Sequence, residues 1–298
     1  MSENGVETMA RRILLVGAGG RLGRVLLQLL GMRPEYEVIG LLQKELDILE
    51  SEQVMAAVER LRPAVIIDCA GFSDILAAEK DPVGTLSVHT RGLFNLARAA
   101  ERFHAYLCSF SSKLVFNGRK GALYDEADEL WPLNQFGISK QGGEEMVAGL
   151  LKNHLIIRSD LVYGPARNDW VERIIQALQG GHVLQVPDDF FVAPTYIGDL
   201  AAATVALLSE WAAGIYHYTN DAGEGVSLHA FAREVAALTG SDQGLLQAGP
   251  LAEMASGGLV LPARAILSLE RFRELFPALV RPWREALADY LETLGFRS

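Results

Sequence analysis

The 298-residue chain is short of several things, and each shortage excludes a class of protein. It has two cysteines, Cys69 and Cys108. Neither lies in a Cys-x-x-Cys pair or near histidines at metal-ligand spacing, so no disulfide framework and no metal site is expected. Basic residues are outnumbered, 27 Lys and Arg against 37 Asp and Glu, for a net charge of −10. That balance argues against a nucleic-acid or anionic-membrane surface. Long apolar runs are missing too: LAAATVALL near residue 200 is far too short to span a bilayer, and MSENGVETMARR carries no apolar segment of signal-peptide length. A cytoplasmic protein is expected, with its first eight or so residues loose.

What is present is an ordinary globular composition, 50% hydrophobic and 21% charged, with chain enough for a large core. Apolar runs at 12–18, 37–43, 64–70, 105–112 and 154–164 read as strands. Between them, 21–31, 51–61 (with Ser51 as a cap), 82–103 and 136–152 show helical periodicity. Strands without in/out alternation, separated by helices, predict a doubly wound α/β domain with a parallel sheet covered on both faces. After residue 164 the pattern loosens. A turn-rich loop at 188–200 leads into an alanine-rich helix, 215–220 alternates like a strand, 227–240 resembles a capped helix, and 241–262 reads as loops. The expected organisation is a dinucleotide-binding domain over 1–164, with 195–220 returning to it, and a smaller substrate lobe from 165–194 and 221–298.

The first strand runs into GAGGRLG (17–23) and then a helix. Gly17, Gly20 and Gly23 permit a tight turn that brings a pyrophosphate to the helix N-terminus, where free N–H groups and the helix dipole favour an anion. Arg21 and Leu22 supply the first of those N–H groups. The end of the second strand offers Leu42, Gln43 and Lys44, not the acid that usually holds an NAD ribose. Lys44 or Arg21 facing a 2′-phosphate would favour NADP over NAD, and Asp47 and Ile48 are candidates for the adenine end.

Further motifs follow in order: LDI (46–48), IDCAGFSDILAAEKDP (67–82), FSSKLVFNG (110–118), YDEADELWPLNQFGISKQGGE (124–144), LVYG (161–164), VAPTYIGDLA (192–201) and GIYHYTN (214–220). In order and spacing the chain resembles the extended short-chain dehydrogenase/reductases, and within them the dTDP-4-dehydrorhamnose reductase family. The resemblance implies a Rossmann-type fold and hydride delivery to a nucleotide-linked 4-keto sugar. It also implies a Ser/Thr–Tyr–Lys set that supplies the proton.

Carried over by position, the hydroxyl is Ser112, the lysine Lys140 and the tyrosine Phe136, a ring that cannot donate a proton. Cys69, Ala70 and Gly71 fall beside the cofactor, and Lys140 also reaches it. Lys113, Tyr163, Thr195 and Arg264 are the substrate-side candidates. Several family letters differ: Lys113 replaces an acid, Leu114 an aromatic, Ile75-Leu76 a Val-Asp pair, Leu261 an arginine, Asp68 and His89 asparagines. Glu144 and the Pro194-Thr195 pair are kept. His89, Tyr124 and Tyr163 also read well as packing residues. Two functions are therefore expected candidates. One is an NAD(P)-dependent oxidoreductase on a nucleotide sugar or related carbonyl compound, with Ser112, a water or Tyr124 giving the proton. The other is a silent dinucleotide-binding protein serving a partner enzyme, like the regulatory subunit of methionine adenosyltransferase. Pairing as a homodimer is left open.

Overall fold

The computed structural model describes residues 10–165, 169–254 and 258–296; the expectation about the first eight residues lies outside them. The chain opens with β1 (Arg11–Val16), α1 (Arg21–Gly31), β2 (Tyr36–Leu41), α2 (Ser51–Leu61) and β3 (Val65–Asp68). Short helices α3 (Ile75–Lys80) and α4 (Pro82–Leu86) run through a π-helical turn, Ser87–Gly92, into α5 (Leu93–Phe103). Then come β4 (Tyr106–Ser112), α6 (Gln135–Leu150), β5 (His154–Ser159), β6 (Val162–Tyr163), α7 (Trp170–Gln179), β7 (Leu184–Pro187), β8 (Phe191–Val192) and β9 (Thr195–Tyr196). The remainder is α8 (Ile197–Ser209), β10 (Gly214–His217), β11 (Val226–Ser227), α9 (Leu228–Leu238), β12 (Leu246–Gly249), α10 (Leu251–Met254), α11 (Glu270–Leu275) and α12 (Trp283–Thr293).

Six strands form one parallel sheet in the order β10-β5-β4-β3-β1-β2. Their apolar runs are buried on both faces because helices cover both. On one side Leu26 and Leu30 of α1 and Leu200, Val205 and Leu207 of α8 pack against β1, β3 and β5. On the other, Val54 and Val58 of α2, Leu96 of α5 and Val147 of α6 do the same. A separate core gathers Tyr163, α7, α9 and α12 around Phe231 and Trp283, while Phe272 of α11 packs on the sheet side. Because β1 has β2 on one flank and β3 on the other, the crossovers reverse there. Rossmann-type sheets open their ligand crevice at the carboxyl ends of such a pair. Helix α6 lies unusually close to the π-helical turn: a Cβ on Gly143 would stand 2.5 Å from the carbonyl oxygen of His89.

Three local expectations are corrected. Residues 241–262 are not only loop, since β12 pairs in parallel with β7; a two-strand ladder across so long a separation leaves no local periodicity. The run 154–164 is broken, with β5 ending at Ser159 and Leu161 at φ +26° before β6. Ser51 is the first residue of α2 rather than its cap: Glu50 holds the cap position and makes no side-chain capping bond. Among the described residues no helix is long and apolar enough to cross a membrane.

Candidate active site

The glycine turn is sterically obligatory. Gly17 sits at φ +74°, and a Cβ there would lie 2.6 Å from the Cys69 carbonyl carbon and the Ala70 nitrogen. A Cβ on Gly23 would lie 2.3 Å from the Gly17 carbonyl oxygen. The turn thus presses strand, helix and the end of β3 together. Gly20 caps α1 with no side chain, and the first turn of α1 holds no acid. Those first N–H groups are left for an anion.

Beside this turn opens a cleft of about 370 Å³, reaching from Gly20 and Arg21 past Asp68 and Ala70 to Lys140 and Ser159. The Lys140 ammonium, half-buried, donates to the Phe110 carbonyl at 3.1 Å. Burial lowers its pKa, opposed by the charges of Asp68 and Glu144. Asp68 accepts from the Ala70 N–H at 2.9 Å; burial pushes its pKa up to about 6, against the pull of that bond and of Lys140. Glu144 forms a two-point ion pair with buried Arg158, at 2.9 and 2.6 Å. Two hydroxyls, Ser111 Oγ and Ser159 Oγ, are buried without a protein partner, and both residues line the cleft. Unpartnered buried hydroxyls cost free energy unless a ligand or water satisfies them. With the uncapped helix and the glycine cradle, they fit a dinucleotide.

Phe136 borders the Lys140 end of the cleft from behind, its ring centre 5.7 Å from the Lys140 ammonium. It is buried with Ala78 and Leu114, with Ile75 and Leu261 packed on them, and it is not part of the cleft lining. His89 lies edge-on to its ring, centroids 5.4 Å apart, and does line the cleft. The imidazole is fully engaged. Its Nε2 accepts from the Phe72 N–H at 3.0 Å, so Nδ1 carries the proton and donates to Ser139 Oγ at 2.8 Å. Ser139 Oγ passes its own proton to the Phe136 carbonyl at 2.7 Å. Burial, then the Lys140 charge, hold His89 neutral with a pKa of about 2.

The remaining candidates divide. Ser112 Oγ accepts from the Leu114 N–H at 3.2 Å, capping a 3-10 turn over Lys113–Val115. The Lys113 ammonium is buried against Asp160 at 2.9 Å and donates to the Phe191 carbonyl at 2.8 Å. Tyr163 is fully buried among Tyr196, Tyr290 and Phe231, and Thr195 donates to the Ala193 carbonyl at 3.1 Å. Tyr124 stacks on Phe116 and donates to Asn117 Oδ1 at 3.0 Å. Arg264 is exposed, its guanidinium 3.7 Å over the Phe191 ring. At the other end, Arg21 points to Asp169 at 3.2 Å rather than to a 2′-phosphate. Asp47 accepts from the Leu49 N–H at 3.0 Å, and buried Ile48 fills the notch that Gly92 leaves. The acid at 45 is also occupied, accepting from the Leu42 N–H at 2.9 Å,

Sequence reasoning left Asp68, Ser111 and Ser159 out of the site. Asp68 was findable, as an acid ending a wholly apolar strand. The serines were not, because only the register Ser112 to Ser159 and Ser111 to Arg158 between β4 and β5 brings them together.

Sheet order, glycine turn and lysine-bearing helix define a Rossmann-type, extended short-chain dehydrogenase/reductase fold with a nucleotide cleft. Residues 11–296 match the RmlD substrate binding domain, and the chain belongs to that family. It is 32% identical over 288 residues to the dTDP-4-keto-6-deoxy-D-glucose reductase of Streptomyces niveus, covering 96% of this chain and 99% of that one. It is 32% identical over 284 residues to the spore coat polysaccharide biosynthesis protein SpsK of Bacillus subtilis (strain 168), covering 94% and 97%. The crystal structure of dTDP-4-dehydrorhamnose reductase from Bacillus anthracis in complex with NADP superimposes with a TM-score of 0.90 at 28% identity, covering 96% of this chain and 100% of that one.

Proposed function

We propose that this chain binds NADPH in preference to NADH and reduces the keto group of a nucleotide-linked sugar or a related carbonyl compound. The observation that carries this reading is the cleft itself. One continuous surface joins the obligatory glycine turn to Lys140 and leaves two buried hydroxyls unpartnered. The N–H groups of Arg21 and Leu22 take the pyrophosphate, Ala70 and Gly71 flank the ribose, and Asp47 and Ile48 border the adenine end. Lys140 stands at the reacting end. When bound, the dinucleotide supplies hydride; the chain's part is to orient the carbonyl, exclude water and deliver a proton. The second lobe, which we assign to 165–194 and 221–298, closes the substrate side through Arg264. Both thiols are free, which suits a reducing compartment, and we place the protein in the cytoplasm.

A second reading has its own support: Phe136, Leu114, Ile75 and Leu261 form one apolar cluster, as a silent partner-serving protein would tolerate. Absorbance at the reduced-nicotinamide band, with a panel of 4-keto nucleotide sugars, separates the two. Turnover by the native protein that is lost in Lys140→Ala supports the reductase; tight NADPH binding without turnover, in the native protein and in Phe136→Tyr, supports the silent reading.

A further inference from the structure

On the reductase reading above, we propose that Lys140 itself is the proton donor, kept charged and reloaded by Asp68, so that this pair replaces the tyrosine hydroxyl the chain lacks. Other donors are spoken for. The Phe136 ring is walled off with Leu114, Ala78 and Leu261. His89 holds its one proton on Ser139 while its other nitrogen accepts from Phe72. Ser112 Oγ is turned to the Leu114 N–H, and the Tyr124 hydroxyl to Asn117. Lys140 and Asp68 alone among these remain as an acid and a proton reservoir on the cleft wall.

The position of Asp68 suits the task. It ends β3, is nearly inaccessible at 7% exposed, and has one oxygen anchored by the Ala70 N–H. The groups that face the pair are Glu144 from α6, His89 from the π-helical turn, Cys108 from β4, the neighbouring Cys69, and Arg21 across the cleft. Glu144 is neutralised by Arg158, His89 is uncharged, and both thiols are held protonated by burial. Asp68 is thus the carboxylate left to answer the Lys140 charge. Burial moves the two groups toward each other, the acid upward and the amine downward, which is what proton sharing requires.

The step balances. Hydride from reduced nicotinamide forms the C–H bond at the carbonyl carbon while the C=O π bond opens. The oxygen takes a proton from the Lys140 ammonium, the Asp68 carboxylic acid returns one to the amine, and solvent reprotonates the carboxylate. Lys140 is the catalytic residue and Asp68 a positioning residue that acts through it.

Asp68→Asn is the test, since the amide keeps the oxygen that accepts from Ala70. Two readouts are taken. The first is the pH profile of NADPH oxidation with dTDP-4-keto-6-deoxy-D-glucose as probe. The native rate is expected to fall as pH rises above about 6, and the variant to lose roughly tenfold in kcat/KM together with that pH dependence. The second needs no turnover: infrared difference spectra, native minus Asp68→Asn, follow the carboxyl band. It is expected to titrate near pH 6 and to move upward in Lys140→Met, where the opposing cation is gone. A band in the ordinary carboxylate range that ignores Lys140→Met overturns the pair, as does a variant with the native rate and profile. No oxidation of NADPH by the native protein, with the coupled infrared titration intact, instead removes the reductase reading.

Discussion

The two ends of the cleft are built differently. At the cofactor end every constraint is backbone: a positive φ at Gly17, a Cβ that could not fit at Gly23, a helix start without a side-chain cap. At the substrate end the contacts are side chains drawn from four distant segments, Ile75, Leu114, Phe136 and Leu261, and all are apolar. Backbone geometry tolerates no compromise, whereas an apolar cluster can be rebuilt by volume-conserving exchange. The proton chemistry has moved between the two ends, onto Lys140 and Asp68.

That contrast can be broken at four points. The largest effect is expected under the floor shared by both ends, where Arg158→Met would leave Glu144 charged and buried. Urea unfolding should show a loss of about 3–5 kcal/mol, and a loss below about 1 kcal/mol would mean the floor is softer than the geometry says. Next, Gly23→Ala should weaken NADPH by about 10²-fold, about 2.7 kcal/mol, in a fluorescence titration; an unchanged affinity would dissolve the contrast at its firm end.

Third is a pH effect. The Asp68 pKa is raised from 3.8 to about 6 in the folded protein. Between those values the native state holds a proton that the unfolded chain has released, so stability is lost as pH rises through the window. Asp68→Asn should therefore gain about 2–3 kcal/mol on the native protein at pH 7 and almost nothing at pH 4. Chemical unfolding at both pH values checks this. His89 runs the other way, its lowered pKa removing stability as pH falls below 6.5, and the comparison with Asp68→Asn cancels it.

The smallest effect is expected at Phe136→Tyr. The new hydroxyl would enter a packed apolar site, lowering stability by about 1 kcal/mol and changing turnover less than about tenfold. A rise of about 10²-fold in NADPH oxidation would show that the ring reaches the cleft, and the substrate end would then be a dormant copy of the family's site.

The chain by itself determined the parallel sheet, the glycine turn and the lysine at family register, because each is written in short-range patterns: apolar runs, glycine spacing and one helical turn from residue 136 to 140. Tertiary structure alone decided which side chains are free. Arg21 is taken by Asp169, Lys113 by Asp160, the acid at 45 by Leu42 and His89 by Ser139 and Phe72. Spacing specifies where a residue sits in its own element. A hydrogen bond or ion pair depends on which distant segment folds against it, and that is settled only when the sheet order brings β3, β4, β5 and α6 to one cleft.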